Sequence, residues 1–111
     1  MTDKKNRCLL NIIIAMFIFI IGITSNHIAV VENQGVMPSK ILLTEHYVID
    51  ERHSYYIEDS QVNYPYLTDR FANRSFSTPF FFSIGDIFLT LGILMAIIYT
   101  TKFVILNRKN E

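Results

Sequence analysis

One stretch constrains this chain more than any other: Ser83-Ile-Gly-Asp-Ile-Phe-Leu-Thr-Leu-Gly-Ile-Leu-Met-Ala-Ile-Ile-Tyr-Thr-Thr101. From Ile84 to Leu106 the only polar breaks are Asp86, three threonines, Tyr99 and Lys102. A bilayer core about 30 Å thick needs about 20 such residues at about 1.5 Å each, so this run is long enough to cross with slack for tilt. Pro79 lies upstream, and Ser83-x-x-Asp86 has the capping-box pattern ahead of an apolar run. Ser83 is therefore expected as the N-cap and Asp86 as the third helical residue. There the carboxylate meets a free backbone N–H and the positive end of the helix dipole. An ionisable residue deep inside a span is a functional candidate by default. Asp86 stands in the first turn, near the headgroups, with Phe80, Phe81 and Phe82 before it in the interface, so the capping role is the first reading.

A second apolar run, Cys8-Leu-Leu-Asn-Ile-Ile-Ile-Ala-Met-Phe-Ile-Phe-Ile-Ile-Gly-Ile-Thr24, follows the basic start Lys4, Lys5, Arg7. Ile28 to Val31 lengthen it past Ser25-Asn26-His27. A secretory signal has the same basic start and apolar middle. This run is slightly long for one, and bulky Ile23 spoils Ile-Thr-Ser as a cleavage site, so an uncleaved anchor is expected. Small residues recur on both runs. Gly92 and Ala96 are four apart with Thr100 extending the row, and Gly85 lies one heptad before Gly92. Asn11, Ala15, Ile18 and Gly22 share one face of the first run. Small-xxx-small rows let helices approach closely in lipid, and an Asn in a span bonds to a neighbouring helix or sits near the interface. Antiparallel packing, small face to small face, is the expectation.

Orientation follows from the cations. Lys4, Lys5 and Arg7 flank the first run, and Lys102, Arg108 and Lys109 end the second. The segment between holds Lys40, Arg52, Arg70 and Arg74 against seven acids. The positive-inside rule places both termini in the cytoplasm and the segment between them outside. The expected fold is an all-α membrane protein: a two-span transmembrane helical hairpin with an irregular or short-hairpin extracytoplasmic loop. Its parts are a cytoplasmic flank 1–7, a first transmembrane helix 8–31, the outer loop 32–78, a second transmembrane helix 79–106 with an interfacial start, and a cytoplasmic tail 107–111.

In the outer loop, Gln34-Gly35 is a turn signal and Pro38 fixes the chain just after it. Ile41 to Ile49 is β-prone and is expected to pair back with Ser54-Tyr-Tyr-Ile57 across a turn at Asp50 to His53. Such short strands are marginal alone, so packing on the bilayer surface or on a partner is expected. Tyr47, Tyr55, Tyr56, Tyr64 and Tyr66 suit a membrane belt or a protein interface. Asn73-Arg74-Ser75 matches a glycosylation sequon that matters only in a eukaryotic secretory route.

The chemistry on offer is thin. Ten Lys and Arg balance ten Asp and Glu, so no basic excess points to nucleic acid. Cys8 is the single cysteine, which excludes an internal disulfide and a cysteine metal cluster. His27, His46 and His53 show no metal-ligand spacing. No phosphate loop, Gly-x-Ser-x-Gly elbow or His-Glu-x-x-His is present. Asp69 and Asp86 are the alternative: two carboxylates at a membrane face can share a proton and hydrolyse a peptide bond. Here Ser83 to Ile93 resembles the Ala-Asp-Ser helix of lipoprotein signal peptidase, whose other motifs and two of whose helices are missing.

A broader resemblance runs from Val30 to Ile98. Val31-Glu-Asn-Gln-Gly-Val-Met-Pro38, then Tyr66-Leu-Thr-Asp69, then Phe82-Ser-Ile-Gly-Asp-Ile-Phe-Leu-Thr-Leu-Gly-Ile93 resemble the closing portion of the bacterial domain-of-unknown-function 5317 membrane proteins. Those carry a Gly-Met-Pro element, a Leu-Ala-Asp element before a Pro-rich step, and a Ser-Ile-Gly-Asp segment opening the last helix. Here Val36 intervenes between Gly35 and Met37, Thr68 replaces the small residue before Asp69, and the family's additional N-terminal helices are absent. The resemblance implies a bacterial integral membrane protein and marks Gly35, Pro38, Asp69, Gly85 and Asp86.

The expected function is that of a small accessory, assembly or regulatory subunit without catalysis or cofactor. Its expected partners are the lipid bilayer and a membrane protein or a second copy of itself, with no nucleic acid. The competing class is a membrane enzyme or transporter component using Asp86 with Asp69.

Overall fold

The computed structural model describes residues 2–42, 53–75 and 79–109. In chain order these form α1 (Thr2–Val31), β1 (Met37–Lys40), β2 (His53–Tyr56), short 3-10 turns at Asp59–Gln61 and Pro65–Leu67, β3 (Phe71–Asn73), β4 (Phe80–Phe82) and α2 (Ile84–Lys109). Two compact units are present, one of Met1–Ile21 with Phe88–Glu111, the other of Gly22–Ile87.

The 30 residues of α1 and the 26 of α2 are about 45 and 39 Å long. The most apolar 18-residue stretches of the two have mean hydropathies of 2.5 and 2.0, and both helices are long and apolar enough to cross a membrane. A core helix of a soluble fold is mostly buried. Here only 17% and 6% of the most apolar stretches lie inside the protein, and side chains such as Leu10, Phe17, Leu94 and Ile97 stand exposed.

In the first unit the two helices meet through backbone. Ala15 is fully buried and Gly92 is buried. A Cβ on Gly92 would lie 2.9 Å from the Ala15 carbonyl oxygen and 2.9 Å from the Phe19 nitrogen. Only a hydrogen fits there. Ala96 is half-buried on the same row. Lys5 Nζ donates to Asn107 Oδ1 at 2.9 Å. Thr101 Oγ1 returns to its own helix, donating to the Ile97 carbonyl at 2.8 Å, so its hydroxyl is satisfied without a partner helix.

The second unit departs from an all-α fold. It contains two small sheets, which widen the class to two helices joined by a β-containing segment. β1 and β2 pair in parallel, Met37 against His53 through Lys40 against Tyr56. The expected hairpin of Ile41–Ile49 with Ser54–Ile57 falls largely on residues 43–52, which lie outside the described ones. A parallel pair needs a connection of about a dozen residues, which residues 41–52 supply. Ile41 still touches the ladder, its N–H donating to the Tyr56 carbonyl at 2.9 Å. On the other side of β1, Asp69 N–H donates to the Pro38 carbonyl at 2.9 Å and Lys40 N–H to the Asp69 carbonyl at 3.0 Å. Among the described residues the small core is polar as much as apolar. Pro38, Ser39, Thr68 and Tyr56 are buried, and the Tyr56 and Thr68 hydroxyls share a hydrogen bond. Tyr56 is thus a core residue of this unit, whereas Tyr64 and Tyr66 are exposed. β3 and β4 form an antiparallel pair, with Phe71 stacked on Phe82 and Tyr55 edge-on to Phe81.

Lys40 Nζ reaches Asp59 at 2.8 Å, and Arg70 lies 3.6 Å from the same carboxylate while its guanidinium covers the Tyr66 ring. The hydrogen bond from Lys40 holds the Asp59 carboxyl below the usual carboxylate range.

Two outcomes are expected. Gly92→Ala should destabilise the helix pair by about 1–3 kcal/mol, because the obstructing atoms are backbone; unfolding in mixed micelles reads the loss. Since Asp59 is depressed on folding, its stabilisation is complete above the unfolded value of about 3.9 and is lost as pH falls through the lower folded value. Carboxyl NMR titration should give an Asp59 midpoint below about 3.9 that rises in Lys40→Met.

Candidate functional site

The residues at the start of α2 are committed to one another. Ser83 N–H donates to Asp86 Oδ2 at 3.0 Å, and Asp86 N–H donates to Ser83 Oγ at 3.1 Å. These are the two reciprocal bonds of a capping box, and they satisfy two donors that a helix start otherwise leaves open. A third residue closes the arrangement. Ser83 Oγ donates to Asn26 Oδ1 at 2.6 Å, and Asn26 Nδ2 donates to Asp86 Oδ1 at 2.9 Å. Each oxygen of the carboxylate therefore accepts a hydrogen bond, and the serine hydroxyl both gives and receives one. Ser83 is fully buried and Asn26 and Asp86 are half-buried. Gly85 makes room for this ring. A Cβ there would collide with the Asn26 amide and lie 2.8 Å from the Gly22 carbonyl oxygen.

The end of α1 carries a second polar fastening. Gln34 and Gly35 adopt left-handed backbone with φ of 64° and 82°. Gly35 N–H donates to the Val30 carbonyl at 2.9 Å, the six-to-one bond of a Schellman ending. Asn33 Nδ2 donates to the Ala29 and Asn63 carbonyls at 2.7 and 2.8 Å. Asn63 answers with its N–H to Asn33 Oδ1 at 2.9 Å and its Nδ2 to the Glu32 carbonyl at 2.8 Å. Pro38 is buried beside the Asp69 bridge.

The other residues singled out in the sequence fall elsewhere. Asp69 is buried and its backbone joins β1. Its N–H donates to the Pro38 carbonyl and its carbonyl accepts from Lys40 N–H. Asn11 is half-buried on α1, and Gly22 is buried beside Gly85. His27 is exposed, His46 lies outside the described residues, and no group of three metal-ligating side chains occurs among the described residues.

Sequence reasoning missed Asn26, Asn33 and Asn63. The available signal was modest: Asn26 is a side-chain amide near the end of an apolar helix, where a polar group needs a partner.

The sequence model of the family of unknown function DUF5317 matches residues 8–98. The chain belongs to this family. The match starts at Cys8 and so takes in the first apolar run as well as the stretch from Val30 to Ile98. No curated protein and no solved structure matches the chain.

Chemically the Asn26–Ser83–Asp86 ring can hold two chain segments at a fixed spacing. Its serine hydroxyl donates to Asn26 Oδ1 rather than to the Asp86 carboxylate. If it acts as a unit, Ser83→Ala should cost about 1 kcal/mol as a cap. Asn26→Leu and Asp86→Asn should be non-additive by about 0.5–1.7 kcal/mol in a double-mutant cycle. Additive losses would mean that the Asn26 contact carries no energy.

Proposed function

We propose that this member of the DUF5317 family is a small integral protein of the bacterial cytoplasmic membrane that crosses it twice, with both termini in the cytoplasm. It serves as a non-catalytic accessory, assembly or regulatory subunit, binding a membrane-protein partner or a second copy of itself through its outer segment and its small-residue helix faces. The proposed limits remain a first span at 8–31, an outer segment at 32–78 and a second span at 79–106.

The observation that carries the reading is that Asp86 has both carboxylate oxygens engaged by Asn26 and Ser83, in a ring whose serine is fully buried. A general acid or base must reach a substrate proton, and a group so engaged is better suited to holding structure. Two further observations support it. The exposed apolar surface of α1 and α2 is compatible with lipid. Tyr66 is 71% exposed and Tyr64 55% exposed, and exposed tyrosine is enriched where proteins meet. Retention of the first helix, rather than its removal as a signal, is supported by Asn26 and Ala15, which α2 and its cap use as packing partners.

Two measurements test this. In a Cys8→Ser background, a cysteine at position 60 should react with impermeant maleimide in intact cells, and one at position 107 only after permeabilisation. A photo-crosslinking residue at position 66 should give one adduct of defined mass in intact membranes. Monodisperse monomer in mild detergent, together with no adduct, would remove the subunit reading.

A further inference from the structure

The zero net charge of the chain conceals a division. The unit formed by Met1–Ile21 and Phe88–Glu111 contains six Lys and Arg against two acids, and Gly22–Ile87 contains four against eight. In the first unit, a groove of about 340 Å³ opens where α1 begins and α2 ends. Lys4, Arg7 and Lys102 stand along it, all exposed. Among the described residues no acidic side chain lines it. Its walls are mainly carbon, from Cys8, Ile105 and Leu106. The Lys102 ammonium sits 5.2 Å from the centre of the Tyr99 ring, another lining residue, which favours the cation at the groove.

Three cations over apolar walls describe a ligand with an anionic head and a hydrocarbon body. Inorganic phosphate would meet the cations and leave the carbon walls uncovered. An acidic peptide would do the same unless it brought apolar residues. A phospholipid supplies both parts in one molecule, and it is the solvent of any helix pair that spans a bilayer. Basic pockets between membrane helices near one surface are suited to anionic headgroups, each cation contributing about 1 kcal/mol.

We propose that this groove is a binding site for an anionic phospholipid, with the phosphate held by Lys4, Arg7 and Lys102 and an acyl chain lying against Cys8, Ile105 and Leu106. The proposal rests on the membrane reading above. The charged rim sets headgroup preference, and the buried Cys8 gives the chain a smooth wall.

The test uses the full-length protein in mild detergent, with phosphatidylglycerol and phosphatidylcholine titrated in native mass spectrometry. Two triple variants are compared: Lys4→Gln, Arg7→Gln, Lys102→Gln in the groove, and Lys5→Gln, Arg108→Gln, Lys109→Gln outside it. Both remove the same charge from the same unit, and circular dichroism checks that both keep their helices. The expected result is preferential retention of phosphatidylglycerol by the native chain, binding about a hundredfold weaker in the groove variant, and near-native binding in the other. Equal losses in both variants would reduce the effect to diffuse attraction and overturn the site. So would equal binding of phosphatidylcholine, or displacement of the lipid by soluble glycerol phosphate at matched concentration. Carbonate extraction of native membranes, run alongside, separates the two levels. Release of the protein into the supernatant sinks the membrane reading and this site with it. Retention in the pellet without lipid preference sinks the site alone.

Discussion

The start of α2 hangs on one carboxylate. Asp86 accepts the backbone N–H of Ser83 on one oxygen and the amide of Asn26 on the other. In water either bond would add little, since solvent offers a replacement. Where lipid or packed protein excludes solvent, the alternative to the bond is an unpaired polar group, at a cost of a few kcal/mol. The ring is therefore less a source of attraction than a condition on arrangement. Any geometry that separates Asn26 from Ser83 leaves polar groups on both without partners. Gly85 and Gly22 belong to the same condition, because a Cβ on Gly85 would push against both the Gly22 carbonyl and the Asn26 amide.

How legible this was depends on sequence distance. The Ser83–Asp86 pairing spans three residues and follows from helix geometry alone, so the motif Ser-x-x-Asp declares it. The turn at Gln34-Gly35 was visible for the same reason: left-handed backbone favours Gly, and its bond to Val30 is local. Both long helices announce themselves by continuous apolarity. Asn26 bonding to Asp86 spans sixty residues, and Asn33 to Asn63 thirty. Nothing in a single sequence fixes such pairings. An asparagine side chain fits many partners, and only the folded chain chooses among them. The parallel pairing of β1 with β2 was illegible on the same ground. Composition marks β-prone residues but does not set register or direction.

The two carboxylates singled out in the sequence sit in different local settings. Asp69 and Asp86 look related in the sequence because both precede or open the same helix. In the fold their duties diverge. Asp69 is buried with its backbone built into the edge of β1, while Asp86 is occupied by the cap.

The two units are held by different means, and the difference follows from their residues. Between Leu9 and Ile21 and between Phe88 and Ile98 the first has only Asn11 and Thr90 as polar side chains, and its helices meet where Gly92 and Ala15 bring backbone against backbone. In a hydrocarbon solvent apolar side chains gain nothing by leaving lipid for protein, so close van der Waals approach at small residues is the available attraction. The second unit buries Ser39, Thr68, Asp69 and Ser83 among its described residues. It is fastened by directed bonds instead: Tyr56 to Thr68, Lys40 to Asp59, Asn33 to Asn63. Directed bonds tolerate water at their margins and demand exact partners, whereas backbone contact demands only the absence of side chains. The glycines and the asparagines thus join elements in two ways: by close approach of backbones and by directed bonds.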